Sequence, residues 1–216
     1  FVNGQLGNNG FQVGAGSPAS NVTSYSHLVS ECSSVSFTNV HFIMPQYGGI
    51  VQNANSVKYI GCTFSKTGFT LNPTTGNPGT TWACRDIAIS NSSSVSVVDC
   101  LFDTSAGNAI WANNAKNLTV IGNKFIDVSN GGLNVSGNRN NAANPTVGDS
   151  NIFVKPTSVN DLTQIIGNYF ESDAGYSAGR YGIVFDGTTS VPTAGNVMLT
   201  NNTNFGNASF GAAFSL

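Results

Sequence analysis

Six phenylalanines (Phe42, Phe64, Phe102, Phe125, Phe170 and Phe205) are each preceded, three residues earlier, by Asn39, Gly61, Asp99, Gly122, Gly167 and Asn202. Gly, Asn and Asp are the residues that tolerate a left-handed backbone. Each pair closes a run of alternating character, such as Leu118-Thr119-Val120-Ile121 followed by Gly122-Asn123-Lys124-Phe125. The repeat therefore reads as a short strand, a one-residue kink and a second short strand. A unit this small buries its apolar side only by stacking on its neighbours, so the repeat constrains the fold before any other feature.

Spacings between the phenylalanines are 22, 38, 23, 45 and 35 residues, which points to a basic period near 22 with insertions. A second anchor series, Leu28, Ile50, Ile87, Ile110, Leu133 and Ile183, opens another β-type run in each repeat. From Phe42 to Ile50, Phe102 to Ile110 and Phe125 to Leu133 the interval is always 8. Two constant segments and variable connections predict three strands per repeat, stacked like on like.

Period-two alternation then assigns faces. The expected inward columns are Val35, Val57, Val95 and Leu118; Phe37, Tyr59, Val97, Val120 and Ile165; the phenylalanines; and, just after the kink, Val40, Cys62, Cys100, Asn123 and Asn168. Asn123 above Asn168 allows the amides to hydrogen-bond along the stack, which buried amides require. The four cysteines, Cys32, Cys62, Cys84 and Cys100, have no metal-ligand spacing and are expected as core thiols. A Cys62–Cys100 disulfide is geometrically compatible with adjacent strands, and a stacked thiol pair fills the column equally well.

These features, together with runs such as Tyr181-Gly182-Ile183-Val184-Phe185-Asp186, resemble the pectin-lyase-like right-handed parallel β-helix superfamily, most of all its phage tailspike and polysaccharide-depolymerase domains. The resemblance implies an all-β chain, a single-stranded right-handed parallel β-helix of about 22 residues per coil over residues 1–216. It also implies a segment of a longer, homotrimeric protein on a virion tail or otherwise extracellular. The implied partner is a bacterial surface polysaccharide, bound and further hydrolysed, with no cofactor; the alternatives are a non-catalytic glycan-binding segment and a structural shaft. Fold resemblance alone does not carry function. The chain has no three-Asp cluster of the pectate-lyase calcium type and no Asp-Asp or Gly-His-Gly run of the polygalacturonases, which counts against plant-pectin chemistry.

Charged residues are only 8% of the chain and the formal net charge is −2, so a phosphate backbone is not an expected partner. No apolar run approaches the length of a membrane span. Function is expected in the insertions from Ser65 to Arg85, Glu171 to Arg180, Ser136 to Asp161 and Gly187 to Asn196. The run Ile152-Phe153-Val154 inside the third is either an extra strand or an incomplete coil.

If the anchors point inward, their neighbours point out: His27, Gly49 and Asp86 before them, Val51, Ala88, Trp111 and Asn134 after them. Trp111 would then stand between Asp86 and Asn134 as a platform for the apolar face of a sugar, with Trp82 as a second wall and Arg85 nearby. The alternative is that the Ser65–Arg85 loop covers Trp111 and the ring merely packs. Glycosidic cleavage calls for two carboxyl groups, and the candidates are Asp86, Asp103 and Asp127, the latter two expected in one lateral turn of adjacent coils. The competing account is that Asp caps backbone amides in such turns. His27 and His41 are expected as surface or strand residues.

Overall fold

A computed structural model of the protein describes residues 2–7, 25–43, 47–65, 67, 69–71, 78–80, 85–105, 107–128, 150–156, 161–172, 181–186, 196–206 and 212–215. Among them every regular element is a strand. The strands form three parallel ladders. The first runs through Gln5–Gly7, His41–Ile43, Thr63–Ser65, Leu101–Asp103, Lys124–Ile126, Tyr169–Ser172 and Thr203–Gly206 as one seven-stranded sheet. The second contains Tyr25–Ser30, Tyr47–Gln52, Arg85–Val98, Asn108–Lys116, Ser150–Lys155, Tyr181–Asp186 and Ala212–Ser215. The third contains Ser33–Thr38, Asn55–Ile60, the second half of Arg85–Val98, Leu118–Ile121, Leu162–Ile166 and Asn196–Thr200. Because Arg85–Val98 belongs to both, the second and third ladders merge into a twelve-stranded sheet. Among the described residues, the single antiparallel pair joins Phe69–Leu71 to Pro78–Thr80, inside an insertion.

Like stacks on like. Phe42, Phe64, Phe102, Phe125 and Phe170 form a continuous pile, with centroids 4.6–4.9 Å apart and planes within 11° of parallel. The spacing is that of neighbouring strands, so each ring rides on its own backbone. In the expected third-ladder columns Val57, Val95, Leu118, Phe37, Tyr59, Val97, Val120 and Ile165 are buried, while Val35, in the first strand of the ladder, is only partly so.

The turns explain the composition. Asn39, Gly61, Asp99, Gly122 and Gly167 all have φ between 52° and 68°, as their residue types suggest. The sixth member is Asn201 (φ 55°) and not Asn202. Accordingly Phe170 pairs with Asn204, while Phe205 stands opposite Glu171 and leaves the phenylalanine column. This one-residue correction places Asn202 below Asn168. The three amides form a ladder: Asn123 Nδ2 donates to Asn168 Oδ1 (2.9 Å) and Asn168 Nδ2 to Asn202 Oδ1 (3.0 Å). Their second amide hydrogens go to the carbonyls of Val97, Val120 and Ile165. Each Oδ1 also accepts a backbone N–H from the preceding repeat, those of Cys100, Asn123 and Asn168. The buried amides are thereby satisfied.

Two further left-handed columns separate the second ladder from the third: Glu31, Asn53, Asn91 and Asn114, then Ser34, Ser56, Ser94 and Asn117. Glu and Ser do not advertise that conformation. The anchor series puts Leu28 and Ile50 inside and His27 and Gly49 outside; the structure reverses both, because the inward place stands 15 residues before the phenylalanine, as Ile87 and Ile110 do, and not 14. Ile87 pairs with Gly49, which itself pairs with His27. Leu28 is 59% exposed, whereas the His27 ring lies among Phe37, Phe42 and Tyr59. The inward role passes to Val29 and Val51. The place beside Ile110 expected for Leu133 is taken by Ile152, so Ser150–Lys155 is a full member of the second ladder. Leu133 itself lies outside the described residues, as does Cys84.

Cys62 and Cys100 are buried in adjacent strands and free, their thiols directed at the carbonyls of Phe37 (3.4 Å) and Val98 (3.4 Å). Cys32, expected in the core, is exposed and donates to the carbonyl of Ser30. It sits in the turn between ladders, where the repeat is at its outer corner.

Candidate functional site

The outer face of the second ladder carries most of the residues singled out from the sequence. Alternation around the inward Ile87, Ile110 and Ile152 puts Asp86 and Ala88, Ala109 and Trp111, and Asn151 and Phe153 on that face. Ladder register makes two columns of them, Asp86–Ala109–Asn151 and Ala88–Trp111–Phe153. The first column is buried throughout, and Phe153 is 2% exposed, so the sheet is covered on both sides here. Parallel sheets are commonly buried in this way. The outward face is thus not an open surface; of these six residues Ala88 and Trp111 keep partial exposure.

Trp111 is half-buried and stacked. Its ring lies nearly parallel to Phe153 (6°, centroids 6.3 Å apart), and the Arg85 guanidinium carbon sits 3.9 Å from its centroid. A cation at that distance over an indole is favourable by about 0.5–2 kcal/mol, depending on desolvation. The position following Trp111 in the column, expected for Asn134, belongs to Phe153 because Ser150–Lys155 supplies the neighbouring strand. Asn134 and Trp82 lie outside the described residues.

Asp86 is fully buried, not exposed as its place before an anchor suggests. It stands at the start of its strand, and Ser105, in the turn after Leu101–Asp103, donates to its Oδ2. Burial pushes its carboxyl up to about 7, against the opposing influence of the Ser105 and Thr67 hydroxyls, with the charge of Asp103 adding to the rise. The Thr67 hydroxyl is near enough to favour the carboxylate yet makes no hydrogen bond, and Asp86 Oδ1 has no partner either.

Asp103 and Asp127 do not stand opposite each other. Asp103 pairs with Ile126 and Ser65, while Thr104 N–H donates to the Ile126 carbonyl and Asp127 follows that pair. Both Thr104 and Asp127 are left-handed, at φ 57° and 48°, the conformation expected of turn-forming Asp. Asp103 accepts from the Thr104 hydroxyl (2.8 Å). The charge of Asp103 bears on Asp86, and the Asp127 N–H donates to the Glu171 carbonyl. Glu171 forms an ion pair with Lys124 (3.5 Å) between exposed side chains, worth little.

Asn151 escaped the sequence reading. It is fully buried, and neither its Oδ1 nor its Nδ2 has a partner; Trp111 Nε1 is likewise buried and unpaired. The available signal was the likeness of Ile152-Phe153-Val154 to Ile110-Trp111-Ala112, which would have placed Asn151 beside Ala109.

Comparison of the chain with protein-family models, with curated proteins and with solved structures returned no match.

Proposed function

We propose that the ladders are faces of one right-handed parallel β-helix, and that the chain is a tailspike-like domain that binds a bacterial surface polysaccharide at Arg85, Asp86 and Trp111. Stacking of equivalent phenylalanines at a single strand spacing supports the solenoid. One observation carries the site: a buried carboxyl held protonated towards neutrality stands next in sequence to an arginine stacked on a partly exposed tryptophan. On this reading Asp86 is the general acid for glycosidic cleavage and Asp103, whose charge bears on it, the partner carboxylate.

Burial of Asp86 favours a second reading, in which the face binds glycan without cutting it. Incubation with a panel of capsular and O-antigen polysaccharides separates the two. Hydrolysis releases reducing ends, lost in Asp86→Asn and Asp103→Asn; binding alone gives retention on immobilised polysaccharide, lost in Trp111→Ala, with no product. Neither retention nor product sinks both. A homotrimeric, virion-borne or extracellular setting accompanies the proposal, and light scattering after gel filtration tests the trimer.

A further inference from the structure

An aliphatic file runs along the outer face of the third ladder. Inward Tyr59, Val97, Val120 and Ile165 leave the residue after each of them pointing out: Ile60, Val98, Ile121 and Ile166. Register puts these four in one column, with Thr38 before them and Thr200 after. All four reach solvent, Ile60 most of all at 38%. Single exposed aliphatics are ordinary on a protein surface, whereas a contiguous patch marks a contact. Two residues earlier on the same strands stand Lys58, Ser96, Thr119 and Gln164, of which only Lys58 is charged. On the other flank the kink column carries Asp99, one residue after Val98. Lys58 and Asp99 are both exposed, and neither forms an ion pair with a described residue.

We propose that this face is where copies of the chain pack side by side, parallel and at one height, with the aliphatic file along the axis between them. The placement of the two charges selects this occupant. They lie on opposite sides of the file, and Lys58 belongs to the strand before the one that leads into Asp99. A parallel neighbour brings the Lys58 flank of one copy against the Asp99 flank of the next. The two are then out of level by one strand spacing, about 4.8 Å, which a lysine side chain spans. The same contact repeats around the axis. Turned antiparallel, each flank meets itself and neither charge finds its opposite. The strip is about 24 Å tall over six strands and about 10 Å across. That falls well short of the roughly 800 Å² per partner of a standard interface, so association through it is weak and concentration-dependent.

This rests on the homotrimer proposed above, assigns the face that builds it, and fails separately from it. Sedimentation equilibrium of the full chain, from micromolar to near-millimolar concentration, is the test. Wild-type mass should rise with concentration towards that of three copies. Ile121→Lys should remain monomeric throughout with an unchanged circular dichroism spectrum, since the residue points outward; Ile60→Lys, at the most exposed member, repeats the measurement. Lys58→Glu sets like charges against each other and should weaken association by at least about tenfold. Adding Asp99→Asn to it should recover part of that loss. Leu28→Ser removes an exposed apolar side chain from a different face and should associate as the wild type does. Folded Ile121→Lys and Ile60→Lys proteins that assemble like the wild type would overturn the proposal while leaving the trimer standing. Undiminished association of Lys58→Glu would overturn the parallel arrangement. A wild type that stays monomeric at every concentration would sink face and trimer together, and a dimer dispersed by Ile121→Lys would keep the face and remove the trimer.

Discussion

The His27 imidazole occupies the room left by Gly49 on the adjacent strand. A Cβ on Gly49 would overlap the ring, whose Nε2 is hydrogen-bonded to the Tyr59 hydroxyl (2.6 Å) and whose Nδ1 pairs with Ser26 Oγ (2.8 Å). Gly49→Ala is therefore expected to destabilise by about 1–3 kcal/mol, the usual range for overpacking. His27→Ala should be destabilising as well, through the cavity and the orphaned Tyr59 hydroxyl. In the double variant the losses should fall short of additivity by at least about 0.5 kcal/mol. Urea unfolding of the four proteins measures this, and strict additivity would refute the steric coupling.

The asparagine ladder predicts graded costs. Asn168 sits in the middle, donating to Val120 and Asn202 and accepting twice from Asn123. Asn168→Leu leaves partners buried on both sides and should cost about 3 kcal/mol or more. Asn202 is half-buried, so water can replace part of what Asn202→Leu removes, and about 1 kcal/mol is expected. Chemical denaturation ranks the pair; equal losses would contradict the ladder as described.

Two buried groups bend the pH dependence of stability in opposite directions. Asp86, raised to about 7, keeps its proton in the folded state while the unfolded chain loses it near 3.8. Its contribution is complete below that value and is lost as pH rises to about 7. Burial lowers His27 to about 4, so the unfolded chain takes a proton that the folded one refuses. Its contribution is complete above about 6.5 and is lost as pH falls towards 4. A tenfold difference in proton affinity between the folded and unfolded states corresponds to about 1.4 kcal/mol. The wild type should thus vary little between pH 4 and 6.5, whereas Asp86→Asn should become more stable with rising pH across that window and His27→Gln less stable. Melting curves recorded across that window decide; parallel profiles for both variants would be inconsistent with these assignments.

Thiol reactivity follows from position. Shared hydrogen bonding with Cys62, together with burial, holds Cys100 well above the ordinary thiol range, and both lie inside the stack. Of the three described cysteines only Cys32 should react with a thiol reagent in native protein, within minutes, the others only on unfolding. Peptide mapping of the labelled protein shows which was modified.

The parts of this architecture that are legible in the sequence are those where a residue type matches a single conformation. Gly61, Asp99, Gly122 and Gly167 announce their left-handed kinks, and the phenylalanines mark the strand that follows. The second ladder reads wrongly because Leu28 and Ile50 are apolar on an outer face and so pass for the inward residue that stands one position earlier. His27 and Gly49 look wrong for a core until they are seen to complement each other in size. At the candidate site Trp111, Arg85 and Asp86 are recognisable by type. The position of Asn151 is not, since it depends on which strand lies beside Asn108–Lys116, and a long insertion separates the two in the chain.

The central claim is that the face holding Trp111 recognises polysaccharide. Affinity electrophoresis through gels cast with individual bacterial capsular or O-antigen polysaccharides tests it most directly. Wild-type protein should be retarded in at least one gel, and Trp111→Ala should migrate there as in a gel without polysaccharide. If wild type and variant run alike in every gel, the face is not a glycan site.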